Sequence, residues 1–97
     1  MASILKTAQA GTLESSDIMI TVTPGAKGSG VVIDLESIVL AQYGEDIRAI
    51  IENIVKKQEI TDLYIKALDR GALDCTICAR VLAALSRAGA VLKEEIL

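Results

Sequence analysis

No histidine, tryptophan or phenylalanine occurs among the 97 residues of this chain, and there is a single proline. Without histidine a Ser-His-Asp set cannot be assembled from this sequence. Structural zinc takes four ligands, usually Cys or His, and only Cys75 and Cys78 are on offer. Aromatic residues number two, Tyr43 and Tyr64, so the core must be built from Ile, Val, Leu and Ala. Basic clusters are missing as well: 10 Lys and Arg are interspersed with 13 Asp and Glu, for a net charge of −3. A nucleic-acid surface needs a basic stripe to displace counterions from phosphates, so no nucleic-acid partner is expected. No apolar run approaches the roughly 18 residues of a spanning helix, and "MASILKTAQAG" lacks the apolar segment of a signal peptide. The expectation is a cytoplasmic protein with no membrane partner.

What is present is aliphatic: 52% of the residues are hydrophobic, too many for a disordered chain and enough for one small domain over residues 1–97. "DIMITVTP" alternates, with Ile18, Ile20 and Val22 on one face and Met19, Thr21 and Thr23 on the other. "VVIDLE" alternates too, setting Val31, Ile33 and Leu35 against Val32, Asp34 and Glu36. Between them lies "PGAKGSG", residues 24–30, a glycine-rich loop expected to be mobile and long for the antiparallel hairpin it is read to join.

From residue 37 the period changes. Ile47, Ile50, Ile51, Ile54 and Val55 form one helical stripe, and Arg48, Glu52 and Lys56 form a solvated face of alternating sign. Gly44 interrupts the pattern, which predicts a short turn before it and the main helix over 45–57. "TDLYIKALD" alternates again as a third strand over 62–68, with Leu63, Ile65 and Ala67 inward. A second helix over 73–88 carries Leu73, Ile77, Val81, Leu85 and Ala88 on its apolar stripe, widened by Cys78 and Leu82. Arg80 and Arg87 lie on its flank and Gly89 stops it. A further short strand is possible within residues 6–14. The order β-β-α-β-α, with the crossover placing the third strand parallel to the second, predicts an α+β fold: a small mixed sheet with both helices on one face.

Self-contained catalysis finds no support. "GAKGSG" lacks the spacing of a phosphate-cradling loop and forms no G-x-G-x-x-G. Glu94 and Glu95 read as a solvated terminus. The C-x-x-C of Cys75 and Cys78 falls inside a helical pattern, where one buried and one less buried thiol, neither metal-bound nor paired, is the expectation. What remains is "GTLESSD", residues 11–17: two hydroxyls, Ser15 and Ser16, between Glu14 and Asp17. By composition alone it is ordinary turn chemistry.

"AGTLESSDIMITVTP" and "RGALDCTICARVLAALSRA", with "YGEDIRAIIENIV" between them, resemble the acyl carrier protein (gamma subunit) of citrate lyase from about Ala10 to Ala88. The resemblance implies that Ser15, the serine of the G-T-L-E-S stretch, carries a covalent phosphoribosyl-dephospho-CoA arm through a phosphodiester. It further implies that a transferase attaches this arm. The alpha subunit would exchange acetyl for citryl on its thiol, and the beta subunit would cleave the citryl group to oxaloacetate. The chain itself would be a non-catalytic carrier subunit. Many members of that family have one cysteine, where Cys75 stands, and Cys78 departs from that pattern. The carrier of malonate decarboxylase resembles the same stretch and bears a similar arm, and a simple interaction module without prosthetic group is the alternative from another class.

Overall fold

The period-two segments form strands and the 3.6-residue stripes form helices in a computed structural model that describes residues 4–38 and 40–92. In chain order these are β1 (Ala8–Ala10), β2 (Ile18–Pro24), β3 (Val31–Ser37), α1 (Leu40–Lys57), β4 (Leu63–Asp69) and α2 (Asp74–Arg87). The strands make one mixed sheet in the order β1-β2-β4-β3. β1 and β2 pair antiparallel, as do β2 and β4, whereas β3 and β4 run parallel from Val31 opposite Leu63 to Ser37 opposite Asp69. The fold is α+β with two layers, as expected from the alternation of periods. The carboxyl-terminal tail with Glu94 and Glu95 lies outside the described residues.

The hairpin expected between residues 18–23 and 31–36 does not form. β2 and β3 are not neighbours, because β4 is inserted between them. Two strand spacings, about 9.6 Å, separate β2 from β3, and a connection too long for a tight hairpin is what such a slot requires. β4 suits the slot because Leu63, Ile65 and Ala67 are buried and both its edges find partners, whereas β3 bears exposed Asp34 and Glu36 at the sheet edge. The loop straps the start of β4: the Gly25 N–H donates to the Asp62 carbonyl at 2.6 Å, and the Gly30 N–H donates to the Asp62 carboxylate at 3.0 Å. The Gly30 amide above all, with those of Gly28 and Ser29, holds the Asp62 carboxyl below its usual range.

One aliphatic cluster forms the core. Ile18, Ile20 and Val22 of β2 and Leu63, Ile65 and Ala67 of β4 meet Ile47, Ile51, Ile54 and Val55 of α1 and Ile77, Val81, Ala84 and Leu85 of α2. α2 packs on β1 and β2, and α1 packs on β3 and against α2, so both helices cover one face. The other face, with Met19, Thr21, Thr23, Tyr64 and Lys66, is partly or fully exposed. Two expected core positions are corrected. Leu73 is 70% exposed, because it is the N-cap residue before α2 begins and not part of its stripe; Ile50 is only half-buried, at the margin of the α1 stripe. The helix expected to begin after Gly44 begins at Leu40 and runs through that glycine, which costs about 1 kcal/mol relative to alanine within a helix that tertiary packing stabilises. α2 ends as Gly89 predicts: that residue takes φ +98°, and the Ala90 N–H reaches back to the Leu85 carbonyl at 3.1 Å. Of the strand expected within 6–14, only Ala8–Ala10 pairs, and residues 11–14 lead into the turn that carries the two serines.

Candidate functional site

The turn is built by residues on either side of the serines. Gly11 ends β1 with φ +94°, and a β-carbon there would collide with the Ile18 carbonyl, so only glycine lets the two backbones cross. Thr12 then folds inward: its hydroxyl donates to the Asp17 carboxylate at 2.7 Å and accepts the Glu14 N–H at 3.2 Å. The Asp17 N–H donates to the Glu14 carbonyl at 3.2 Å and closes a four-residue turn with Ser15 and Ser16 at its corners. Ser16 takes φ +65°, and its N–H donates to the Arg70 carbonyl at 2.8 Å. Ser15 is exposed, and among the described residues no hydrogen bond engages its hydroxyl. Ser16 therefore shapes the turn and Ser15 is presented by it.

Asp17 is the hub. Its two oxygens accept from the Thr12 N–H and hydroxyl, from the Ile18 N–H at 2.7 Å, and from Arg80 through Nε and Nη2, both at 3.1 Å. The Thr12 hydroxyl, the paired Arg80 guanidinium and the Ile18 amide all favour the charged form, and they lower the Asp17 carboxyl from 3.8 to about 2. The carboxylate is 13% exposed and the arginine 39%, so the pair is sheltered on one side only. Arg80 comes from the second turn of α2; the brace therefore ties the serine turn to a helix across the sheet end.

A second anchor comes from the end of β4. The Arg70 N–H donates to the Asp17 carbonyl at 2.8 Å, and Arg70 returns its own carbonyl to Ser16. One residue earlier, Asp69 is buried and satisfied: it accepts from the Ser37 hydroxyl at 2.7 Å and from the Gly71 and Ala72 amides at 3.1 and 3.0 Å. It thereby fixes the path from β4 into α2. Beside the turn, Leu13, Ile38, Leu68 and Arg70 line a groove of about 340 Å³. Another cleft, about 680 Å³ beside Val31, Val55 and Ile60, opens by the opposite strand ends. Seven strand residues, about 20 Å, separate it from the serines, so it has no part in their chemistry.

The two cysteines stand apart from this site. Cys75 is exposed and Cys78 half-buried, with no disulfide between them. The expectation of one buried thiol is corrected: α2 turns its buried stripe of Ile77, Val81, Ala84 and Leu85 inward and leaves Cys75 on the outer side of its first turn. No group of three or more His, Cys, Asp or Glu that could hold a metal occurs among the described residues, and no helix there is long and apolar enough to cross a membrane. Residue spacing singled out the serine turn but not its supports. Asp17 and Arg80 are 63 positions apart, and Arg80 reads in the sequence only as the flank of a helix.

Over residues 5–88 the sequence matches the acyl carrier family described as the malonate decarboxylase delta subunit, which sets the class of this domain. It is 53% identical over 85 residues to the citrate lyase acyl carrier protein of Streptococcus uberis, covering 88% of this chain and 82% of that protein. To the citrate lyase acyl carrier protein of Latilactobacillus sakei it is 51% identical over 80 residues, covering 82% and 77%. The chain belongs to the citrate lyase acyl carrier protein family. Its fold is similar to a chain in the crystal structure of a Pseudomonas malonate decarboxylase hetero-tetramer in complex with malonate, with a TM-score of 0.72 at 20% identity over 88% of this chain and 86% of that one.

Proposed function

We propose that this chain is the acyl carrier subunit of a citrate lyase complex and that it is charged through Ser15 with a phosphoribosyl-dephospho-CoA arm. One observation carries the reading: Ser15 is an exposed, unengaged hydroxyl on a turn braced from both sides, within the G-T-L-E-S stretch. An exposed hydroxyl suits attachment by another enzyme, and the Arg70-lined groove at its side suits an anionic linkage. In loading, the Ser15 Oγ attacks the phosphorus of the activated triphosphoribosyl precursor. A new O–P bond forms as the bond to the departing diphosphate breaks. The hydroxyl proton passes to a base of the transferase, since this chain has no histidine to take it.

When bound, the arm supplies a thiol that carries acetyl and citryl groups as thioesters between alpha and beta partner subunits. The residues of this chain hold its root. Thr12, Asp17 and Arg80 keep the attachment point fixed relative to the sheet, so the tether is swung from a rigid base. Catalysis gains through effective concentration at the partner sites, without reactive groups contributed by the carrier. Identities near 50% with citrate lyase carriers, against 20% with the malonate decarboxylase chain, favour citrate over malonate chemistry.

The test is intact mass after incubation with the cognate transferase and the triphosphoribosyl precursor. One arm per chain is expected on wild type and on Ser16→Ala, and none on Ser15→Ala. Wild type that retains its bare sequence mass would sink the carrier reading in favour of an interaction module. Arm on Ser15→Ala but not on Ser16→Ala would move the attachment point.

A further inference from the structure

Of the four arginines, three are committed. Arg48 donates to the Ile33 carbonyl at 2.8 Å, Arg87 to the Gln9 carbonyl at 2.9 Å, and Arg80 is spent on Asp17. Arg70 alone makes no side-chain hydrogen bond or ion pair among the described residues. It is also the arginine whose backbone is bonded twice to the serine turn, at Ser16 and Asp17, so its backbone is fixed one residue from Ser15 while the residue itself is exposed. It lines the groove with Leu13, Ile38 and Leu68.

We propose that Arg70 is the phosphate-positioning residue of this carrier: its guanidinium pairs with the anionic phosphodiester that links the arm to Ser15, and the Leu13–Ile38–Leu68 wall receives the first segment of the arm. The inference rests on the carrier reading above. A guanidinium offers a planar fork of N–H donors that matches two phosphate oxygens at once, which a lysine does not. The nearby carboxylates leave Arg70 available. Asp17 is neutralised by Arg80, and Asp69 is turned inward onto Ser37, Gly71 and Ala72. Glu36 lines the same groove and Glu14 lies on the turn, yet neither comes within ion-pair distance of Arg70 among the described residues. A diester placed between Ser15 and Arg70 meets a cation that nothing else occupies. The side chain acts on the arm through charge and orientation, and no bond is made or broken at it.

The test uses the full chain, loaded by its transferase and confirmed by intact mass, as wild type, Arg70→Ala and Arg70→Lys. Phosphorus NMR reads the diester directly, with each protein in urea as its own free-diester reference. Wild type should show a native resonance displaced from its urea position, Arg70→Ala should lose that displacement, and Arg70→Lys should keep part of it. Amide shifts on loading should reach Leu13 and Ile38 in wild type and retreat to residues 14–16 in Arg70→Ala. The same spectra show by their dispersion that each variant is folded. If loaded Arg70→Ala retains both the displaced resonance and the shifts at Leu13 and Ile38, Arg70 does not hold the phosphate, though the carrier reading stands. If no arm is added to wild type, both fall together.

Discussion

Asp17 and Arg80, 63 positions apart, meet through two hydrogen bonds of 3.1 Å and tie the serine turn to the second helix. The Asp17 carboxylate, held in its charged form first by the Thr12 hydroxyl and then by Arg80 and the Ile18 amide, has an acid signature. The Asp17 carboxyl is lowered from 3.8 in the ordinary state to about 2 in the folded protein. Its contribution to stability is therefore complete above the unfolded value and is lost as the pH falls from 3.8 towards about 2. Denaturant titrations at a series of pH values should show wild type losing stability across that window. Asp17→Asn should be less stable than wild type at neutral pH and approach it in acid. A constant gap between the two at every pH would show that the carboxylate's charge does no work.

Gly11→Ala should disable the turn without abolishing the fold. The new methyl group meets the Ile18 carbonyl, and φ +94° is a conformation that alanine resists. A loss of more than about 1 kcal/mol in chemical denaturation is expected, with amide shifts concentrated at residues 12–18. A variant as stable as wild type, with an unchanged spectrum, would mean that the crossing of these backbones is looser than described.

A contrast of two aliphatic truncations tests the core. Ile51 is fully buried on α1, and Ile51→Ala should cost about 2–5 kcal/mol by transfer and cavity formation. Leu73 is 70% exposed, and Leu73→Ala should stay within about 0.5 kcal/mol of wild type. Equal costs at the two positions would show that Leu73 belongs to the stripe its spacing suggests.

Leu73 and the glycine-rich loop also show where the sequence stopped being informative. Period gave each strand and helix to within a few residues, because alternation and the 3.6-residue stripe are local properties. Which strands become neighbours is not local. Residues 24–30 look like a hairpin until β4, encoded 33 positions after the loop closes, takes the place between. At the site, Ser15 and its turn were legible from composition and from the resemblance. The brace was not, since Arg80 has the same helical spacing whether it faces water or Asp17. Asp69 gave no sign of burial, because its partners, the Ser37 hydroxyl and the Gly71 and Ala72 amides, are brought to it only by the folded sheet and the turn after β4.

The insertion of β4 between two earlier strands has a consequence for when the site comes into being. Ser15 is synthesised early, but the carbonyl that fixes Ser16 belongs to Arg70 and the guanidinium that fixes Asp17 belongs to Arg80. A nascent chain still on the ribosome, or a fragment that stops before β4, contains the serine and lacks the frame around it. The braced serine turn is thus a property of the folded domain, complete only when β4 and α2 have taken their places beside it.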